Sequence, residues 1–583
     1  MSANAELAAI FAEMASVLQI TGQSPFRVNA HARVARILGA LTSDVAEHAP
    51  TPESLTAIAG IGKGSAAKIL EYLETGRVAE HQELLKKIPG GLLDLLGIQG
   101  LGPKTIRLLW QQAGVTDLAT LQAGIDSGEL EHLPRLGPKA IANISRAIEF
   151  ARKAGGRTRL GAAMTIAQGI LAHLRGVKGT SRLEYAGSLR RGAETIGDID
   201  ILAATADPDP LRHAFERMPG VQQILAAGPT RLSLRHAAGI QIDLRIVAER
   251  SFGAAWMYFT GSKQHNVQMR ERAIKRKMRL NEYGLFPDDG RCEEPPQERG
   301  VEPVAGDTEA EVFAALGLPM IPPEIREDLG ELELAKTPRL IEQRDIKSEL
   351  HAHTVASDGR LSIDQLAREA MSRGFHTVAV TDHSAASAQA NGLSADRLRR
   401  HIAEVRRADR LIDGISILAG AEVDILADGR LDYTDDLLRE LDIVVASPHI
   451  ALRQEPAVAT KRLLRAIRHP LVNILGHPTG RMINRREGLS PDIPALVQAA
   501  RECDVALEIN ANDIRLDLRD IHIKSALAGG ALLAINTDAH AAEHFDYLRY
   551  GILTARRGWL TPDRCINTWS SEKLHRWLRK AAS

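Results

Sequence analysis

Seven short apolar runs occupy residues 346–583 of this 583-residue chain and limit its fold more than any other feature. They are "SELHAHT" (348–354), "TVAVTDH" (377–383), "SILAGAEVD" (416–424), "DIVVASPH" (442–449), "VNILGHP" (472–478), "VALEINAN" (505–512) and "LLAINTDAH" (532–540). Each has the length of a strand, and a helical stretch separates it from the next. Strands alternating with helices make βαβ units and hence a parallel sheet. Seven of them predict a closed or nearly closed, distorted TIM-like (β/α) barrel.

The polar residues of these runs gather at one end. His351 and His353 end the first strand, with Asp358 just beyond. His383 ends the second, Glu422 the third, His449 the fourth, His477 the fifth, and Asp538 with His540 the seventh. Functional residues of (β/α) barrels collect at the C-terminal ends of strands. Any one of these groups is unremarkable as a structural residue, but nine on one rim are more than hydrogen bonding needs. Imidazole and carboxylate without thiolate suit Zn²⁺, Mn²⁺ or Fe rather than Mg²⁺. Nine ligands are enough for about three ions at four to six ligands each. A multinuclear site of this kind activates water and holds a phosphate oxygen, so phosphoester hydrolysis is expected.

A chain of this length exceeds one core, and roughly 100–200 residues per domain predicts three to five domains. Its three cysteines (Cys292, Cys503, Cys565) are scattered, which argues against a disulfide framework or a thiolate zinc site. No apolar run approaches a membrane span, and the N-terminus lacks a basic n-region and a cleavage site, so a cytoplasmic protein is expected. With 73 basic and 73 acidic residues the net charge excludes nothing. Locally, "RERAIKRKMR" (270–279) carries six basic residues and one acid. It is a solvated helix face unless its neighbours have nucleic-acid chemistry.

Three segments of the N-terminal region share one pattern: "IAGIGKGSAAKIL" (58–70), "IQGLGPKTIRLL" (98–109) and "LPRLGPKAIANI" (133–144). Each sets a tight turn, holding Gly60 and Gly62, Gly100 and Gly102, or Gly137, before a basic residue and an amphipathic helix. Glycine lets the backbone approach a ligand closely, and the helix offers unsatisfied N–H groups to an anion. A turn that merely packs explains one such segment better than three. The segments resemble helix-hairpin-helix motifs, with Arg135 in the third copy where the motif usually has glycine. That resemblance implies a grip on the DNA backbone without sequence readout, and Na⁺ or K⁺ on the hairpin carbonyls.

In "GSLRRGAETIGDID" (187–200), Asp198 and Asp200 stand two apart at the start of a strand and so share a face. Asp243, within the alternating "GIQIDLRIV" (239–247), joins them if the two strands are neighbours. Three such carboxylates repel unless cations lie between them, and two Mg²⁺ answer that need. Two metals can clamp the attacking and leaving oxygens of an in-line phosphoryl transfer. Gly187 and Ser188 would offer donors to the outgoing phosphates and Arg191 a charged fork.

The pattern G-S-x-R-R-G-x-E-T-x-G-D-x-D followed by a strand Asp resembles the nucleotidyltransferase palm of family X DNA polymerases, Gly197 included. "YFTGSKQHNVQMR" (258–270) resembles that family's nucleotide-pocket segment. The resemblance implies that Tyr258 and Phe259 line the sugar side and that Gly261 permits close approach. It implies further that Asn266 reaches the base edge and Arg270 meets the template. It also places Lys68, otherwise a surface or phosphate-contacting lysine, where the lyase domain carries a Schiff-base lysine. In "FRVNAHARVARIL" (26–38), His31 stands where a phenol is more usual.

The barrel pattern H-x-H, T-D-H-S, E-V-D, G-H-P, D-A-H resembles the polymerase-and-histidinol-phosphatase (PHP) domain, which implies a trinuclear centre with Asp382 and Asp424 in support. Glu349 replaces an expected Asp there, and Pro448 precedes His449. The two resemblances, in this order, imply a bacterial family X polymerase. It would have a lyase-like helical domain (1–85), fingers (86–152), a palm with a mixed sheet (153–250), a thumb (251–325), a linker (326–345) and a PHP barrel (346–583). Implied partners are gapped or primer-template DNA and dNTPs, with two Mg²⁺ or Mn²⁺ in the palm and about three Zn²⁺ or Mn²⁺ in the barrel. Short-gap filling in base excision repair is implied. The barrel would serve as a 3′–5′ exonuclease, abasic-site endonuclease or 3′-phosphatase, and nothing in the design needs more than a monomer. Two alternatives stand beside this: a barrel that is the only working site, carried by a DNA-binding module, and a protein-binding role for the hairpins.

Overall fold

A computed structural model describes residues 3–40, 45–46, 50–58, 60–98, 101–134, 136–137, 141, 144–145, 148, 157–288, 290, 294–484, 486 and 488–579. Gly100, Arg135 and Cys292 lie outside the described residues. The chain forms two compact units, Met1–Arg157 and Thr158–Ser583.

In the first unit, helices α1 (Lys63–Thr75) and α2 (Pro103–Ala113) each begin at a glycine, Gly62 and Gly102, and end at a left-handed glycine, Gly76 and Gly114. The starting glycines make no side-chain cap, so the N–H groups of Lys63, Gly64 and Lys104 receive none from them. Ile69 on α1, and Ile106 and Leu109 on α2, are fully buried, which turns the apolar stripe of each helix inward.

The second unit begins with a mixed five-stranded sheet. Its strands are β1 (Thr180–Tyr185), β2 (Asp198–Thr205), β3 (Val221–Ala227), β4 (Arg231–His236) and β5 (Gln241–Val247). They lie in the order β1-β2-β5-β4-β3, with only β2 and β5 parallel. Period-two alternation divides the two faces. Ile199, Ile201 and Ala203 of β2, with Ile242, Leu244 and Ile246 of β5, pack into one cluster with α3 (Leu160–Leu174). On the opposite face Leu202 and Ala204 pack under Phe252 and Ala255 of α4 (Phe252–Thr260). Helix α4 thus covers the later half of β2 and leaves the end bearing Asp198 and Asp200 open.

Past α4 and α5 (Lys263–Lys275), residues 326–345 connect to the barrel, but they are no free tether. Arg326 is wholly buried and bonds Glu309 at 2.7 Å. Glu331 is wholly buried and pairs with His265 at 2.8 Å. Charges this deep are stable only when paired, so the stretch expected to be a linker is a packed strap.

The barrel strands are β6 (Ser348–Ala352), β7 (Thr377–Val380), β8 (Ser416–Asp424), β9 (Ile443–Ser447), β10 (Ile474–Leu475), β11 (Ala506–Asn510) and β12 (Leu532–Asn536). All are parallel and hydrogen-bonded in sequence order. A parallel bridge between Ala352 and Ala539 nearly closes the ring, as expected. Leu350, Ala379, Leu418, Val445 and Ala506 share an inner cluster with Trp569, Leu574 and Trp577, so the final helix Ser571–Leu578 packs into the same core. Val378, Val380, Ile417 and Ala419 face the surrounding helices instead. The barrel and the five-stranded sheet share one apolar cluster, since Ile483, Leu516 and Tyr550 join the core around α3.

Candidate functional site

Parallel pairing of β2 with β5 sets Asp200 opposite Asp243 and Asp198 opposite Gln241. Asp243 is buried, and Gln241 Nε2 donates to both of its carboxylate oxygens, at 3.0 and 3.1 Å. Burial, then the charges of Asp198 and Asp243, push the Asp200 carboxyl up to about 7, against the pull of Arg245 and Arg191. An Asp200 carboxyl raised by two neighbouring acids marks a site short of positive charge, which a divalent cation would supply.

Gly187 lies against this cluster with φ +63°, and a Cβ there would sit 2.3 Å from Asp200 Oδ2. Only glycine fits both that conformation and that contact. Ser188 follows it in the single helical turn Gly187–Arg190. Arg191 donates through Nε to Glu327 Oε1 at 2.9 Å and through Nη1 to the Thr260 carbonyl at 2.5 Å. Gly197 is exposed beside Asp198.

Tyr258 and Phe259 meet edge to face, with ring centres 5.3 Å apart, and Arg245 stacks on Phe259 at 5.0 Å. Gly261 has φ +72°, and Arg270 is exposed on α5. Asn266 is differently engaged from what the resemblance implies. Its amide nitrogen donates to the Tyr258 carbonyl at 2.6 Å, while its Oδ1 is buried without a hydrogen-bond partner among the described residues.

In the first unit Lys68 lies 2.9 Å from Glu80 and donates to the Gly64 carbonyl at 3.1 Å. The amine shares that carboxylate with Arg27, which lies 2.9 Å from its other oxygen. Gly60 has φ +95°, and a Cβ there would collide with Arg33 and Ile37 at 2.6 Å. At Gly62, Gly102 and Gly137 a Cβ would meet nothing within 4 Å. The chain's own packing does not demand glycine at those three positions.

On the barrel rim five imidazoles converge on Glu422. His383 and His477 approach it at 2.8 Å, His449 at 3.3 Å, His351 at 3.4 Å and His353 at 3.7 Å. Asp538 lies 3.1 Å from His353, and Asp358 lies 3.5 and 3.3 Å from His383 and His540. Three overlapping groups bring ligand atoms within 4.8 Å of one another: His353, Asp358, His383 and His540; His351, His353 and Asp538; and His383, Glu422 and His449. His477 joins them through Glu422.

The donor set fits metal ions. His351 Nε2, both His353 nitrogens, Glu422 Oε2, His477 Nδ1 and Asp538 Oδ1 are buried without a hydrogen-bond partner among the described residues. Buried polar atoms left open in this way are costly unless a further ligand takes them. Burial alone would lower His449, yet Glu422 and Asp424 drive it up to about 10. Burial together with His540 and His383 holds His353 down to about 4. Protons thus supply part of the positive charge that the carboxylates call for, and cations would replace them.

Supporting contacts aim this rim. Asp382 accepts from Thr354 N and Oγ1, at 2.9 and 2.7 Å, and from Ser357 N at 3.1 Å, fixing the loop that carries Asp358. Asp424 lies 3.0 Å from His449 Nδ1. Glu349, one carbon longer than Asp, spans from the His351 amide at 3.1 Å to Thr537 Oγ1 at 2.7 Å and so ties β6 to β12. Glu508 on β11 was not anticipated. It lies 2.8 Å from His351 Nδ1 and accepts from the His477 amide at 2.7 Å. The clue was present in "VALEINAN": an acid at an inward position of an otherwise apolar strand.

Comparison with known proteins agrees with this layout. Residues 255–327 match the family model for the DNA polymerase beta thumb, and residues 349–512 match the PHP domain. Residues 2–78 match a helix-hairpin-helix domain and residues 92–149 a SAM-like helix-hairpin-helix tandem. Over 571 residues, 97% of this chain and 98% of the relative, the sequence is 37% identical to the DNA polymerase/3′-5′ exonuclease PolX of Bacillus subtilis. The chain belongs to the bacterial family X DNA polymerases.

The barrel of this family X chain also has separate relatives. A protein named "Probable phosphatase" from Shewanella oneidensis is 33% identical over 202 residues, 33% of this chain and 75% of the relative. One of the same name from Thermoanaerobacter sp. is 28% identical over 229 residues, 37% of this chain and 89% of the relative. As a family X polymerase with a PHP barrel the chain uses divalent metals, binds DNA and takes nucleotide substrates. Among the described residues no helix is long and apolar enough to cross a membrane.

Proposed function

We propose that this family X chain fills short gaps in DNA during base excision repair and trims 3′ ends at a second, separate site. The observation that carries the polymerase half is the pairing of Asp200 with Asp243 across β2 and β5, beside Asp198 and against the bare backbone of Gly187. Asp198, Asp200 and Asp243 would hold two Mg²⁺ or Mn²⁺, which supply Lewis acidity to the attacking and leaving oxygens. Asp243, nearest the primer end, takes part in activating the 3′-hydroxyl. That oxygen bonds the α-phosphorus, and the bond to the departing pyrophosphate breaks.

Ser188, the Gly187 N–H and Arg191 receive the outgoing phosphates. Tyr258 and Phe259 bound the sugar, Gly261 lets the backbone come close, and Arg270 meets a template phosphate. Asn266 reaches the base edge after leaving the Tyr258 carbonyl. The glycine turns at Gly60, Gly62, Gly100, Gly102 and Gly137 grip DNA phosphates on both sides of the gap, with Na⁺ or K⁺ on their carbonyls. Lys68, ion-paired with Glu80, serves as a 5′-phosphate contact more readily than as a Schiff-base nucleophile.

On the rim His351, His353, Asp358, His383, Glu422, His449, His477, Asp538 and His540 would hold about three Zn²⁺ or Mn²⁺, which supply an activated water and charge for phosphoester hydrolysis. Glu508 fixes the orientation of His351, as carboxylates behind metal-ligating imidazoles do. The chain works as a cytoplasmic monomer.

A 5′-labelled primer bounding a one-nucleotide gap tests this directly. With Mg²⁺ or Mn²⁺ and the complementary dNTP the primer lengthens by one nucleotide, and with Mn²⁺ and no dNTP it shortens. Shortening without extension in either metal would sink the palm reading and leave the barrel as the only working site.

A further inference from the structure

Four charged side chains of alternating sign connect the barrel to the palm. Asp520, at the start of α6 (Asp520–Gly529), accepts from Arg557 Nε at 2.9 Å. Arg557, at the end of α7 (Leu548–Arg557), donates through Nη1 to Glu327 Oε1 at 2.8 Å. Glu327 Oε1 also accepts from Arg191 Nε at 2.9 Å. Side-chain exposure along this chain stays between 14% and 23%, so solvent screens it weakly.

Arg557 reaches the backbone of the same arginine as well: its Nη1 donates to the Arg191 carbonyl at 3.0 Å. Gly192, the next residue, has φ +65°, and a Cβ there would lie 2.9 Å from Leu553 Cβ on α7. The arginine pair and its glycine are therefore closed against a barrel helix. The Thr260 carbonyl holds Arg191 Nη1 from the other side, while Nη2 has no hydrogen-bond partner among the described residues. Burial alone would raise the Glu327 carboxyl, but Arg557 and Arg191 hold it below its ordinary range, so it stays an anion between two cations.

We propose that the barrel sets the nucleotide affinity of the palm: Arg557, through Glu327, holds the Arg191 guanidinium in the pose that receives a nucleoside triphosphate. This rests on the reading of Arg191 as a triphosphate-binding group and goes beyond it. An unheld arginine loses rotamer freedom when it binds phosphate, whereas one already fixed by Nε and Nη1 presents Nη2 at less cost. Arg557 and Glu327 are then positioning residues for polymerisation. Neither lies within the palm motif, and Arg557 belongs to the domain that performs the opposite reaction.

The full chain is the material for the test, with Arg557→Gln, Arg557→Lys, Glu327→Gln and Arg191→Ala. Gap filling yields kcat and the KM for dNTP, inorganic pyrophosphate serves as a competing triphosphate mimic, and primer shortening reports the barrel. Arg557→Gln and Glu327→Gln are expected to raise the dNTP KM about tenfold or more, the size expected for loss of a charged hydrogen bond. The pyrophosphate inhibition constant should rise in parallel, with the KM for gapped DNA and the shortening rate unchanged. Arg557→Lys, which keeps the charge facing Glu327, should recover much of the loss.

An unchanged dNTP KM in Arg557→Gln, beside a raised one in Arg191→Ala, overturns this inference alone. So does an equal fall of both activities with a lowered melting temperature in both Arg557 variants, because that is a packing role. An unchanged KM in Arg191→Ala overturns the reading of Arg191, and this inference with it.

Discussion

Asp200 and Asp243 lie directly opposite each other on parallel neighbouring strands, where two carboxylates repel. Folding places them there because Ile199, Ile201, Ile242 and Leu244 turn to the apolar face packed on α3, and period two then leaves the acids on the opposite one. Asp200→Asn should therefore remove nucleotide addition by at least about a thousandfold, the scale for loss of an electrostatic centre in the transition state. It should leave primer shortening intact and make the metal-free protein no less stable. A stopped extension assay and a thermal melt in chelator check both parts.

Glu422 gathers five imidazoles, whereas Glu508 touches only His351 among the rim histidine side chains. Glu422→Gln is expected to abolish primer shortening and lower bound metal, measured by elemental analysis of the purified protein. Glu508→Gln should cost about 10–100-fold in metal affinity or rate, the usual range for a group behind a ligand. Extension should persist in both.

The rim shows how much was legible in the residues. His351, His353, His383 and His449 announce themselves because each ends an apolar run, and the period of the fold carries them to one rim. Glu508 does not, because its strand ends in asparagine and its own contact is set by the width of the barrel. Asp198 and Asp200 are legible as a same-face pair, and their meeting with Asp243 follows once β5 is placed. The Arg557–Glu327–Arg191 connection is hidden, since it depends on how the barrel docks on the palm, and side-chain spacing holds no record of docking. The strap at 326–345 misleads for the same reason: Glu327 and Glu331 pass for linker acids until Arg191, Arg557 and His265 are found opposite them.

Gly62 and Gly102 leave open space where a Cβ would stand, and both have extended backbone that alanine also adopts. Gly62→Ala with Gly102→Ala should leave the melting temperature unchanged and weaken DNA binding for all sequences alike. Binding titrations across salt concentration check this, with the steep salt dependence of phosphate contacts retained.

Glu309 is 4% exposed and bonds Arg190 and Arg326 at 2.7 Å. Burial alone would raise its carboxyl, but Arg326 and Arg190 outweigh this and hold it at about 2. A carboxyl depressed in the fold contributes stability above its unfolded value, and that contribution fades as pH falls towards about 2. Glu309→Gln strands two buried guanidinium groups and should cost about 3–5 kcal/mol at neutral pH. Its deficit against the parent should shrink on acidification, as read from denaturant unfolding at several pH values.

The most direct measurement sets the parent chain beside Asp198→Ala/Asp200→Ala and His351→Ala/His353→Ala on a 5′-labelled primer in a one-nucleotide gap. Two independent sites predict that the first variant loses only lengthening and the second only shortening. Loss of both reactions in either variant, or lengthening that survives without the two aspartates, would contradict the assignment of one reaction to each site.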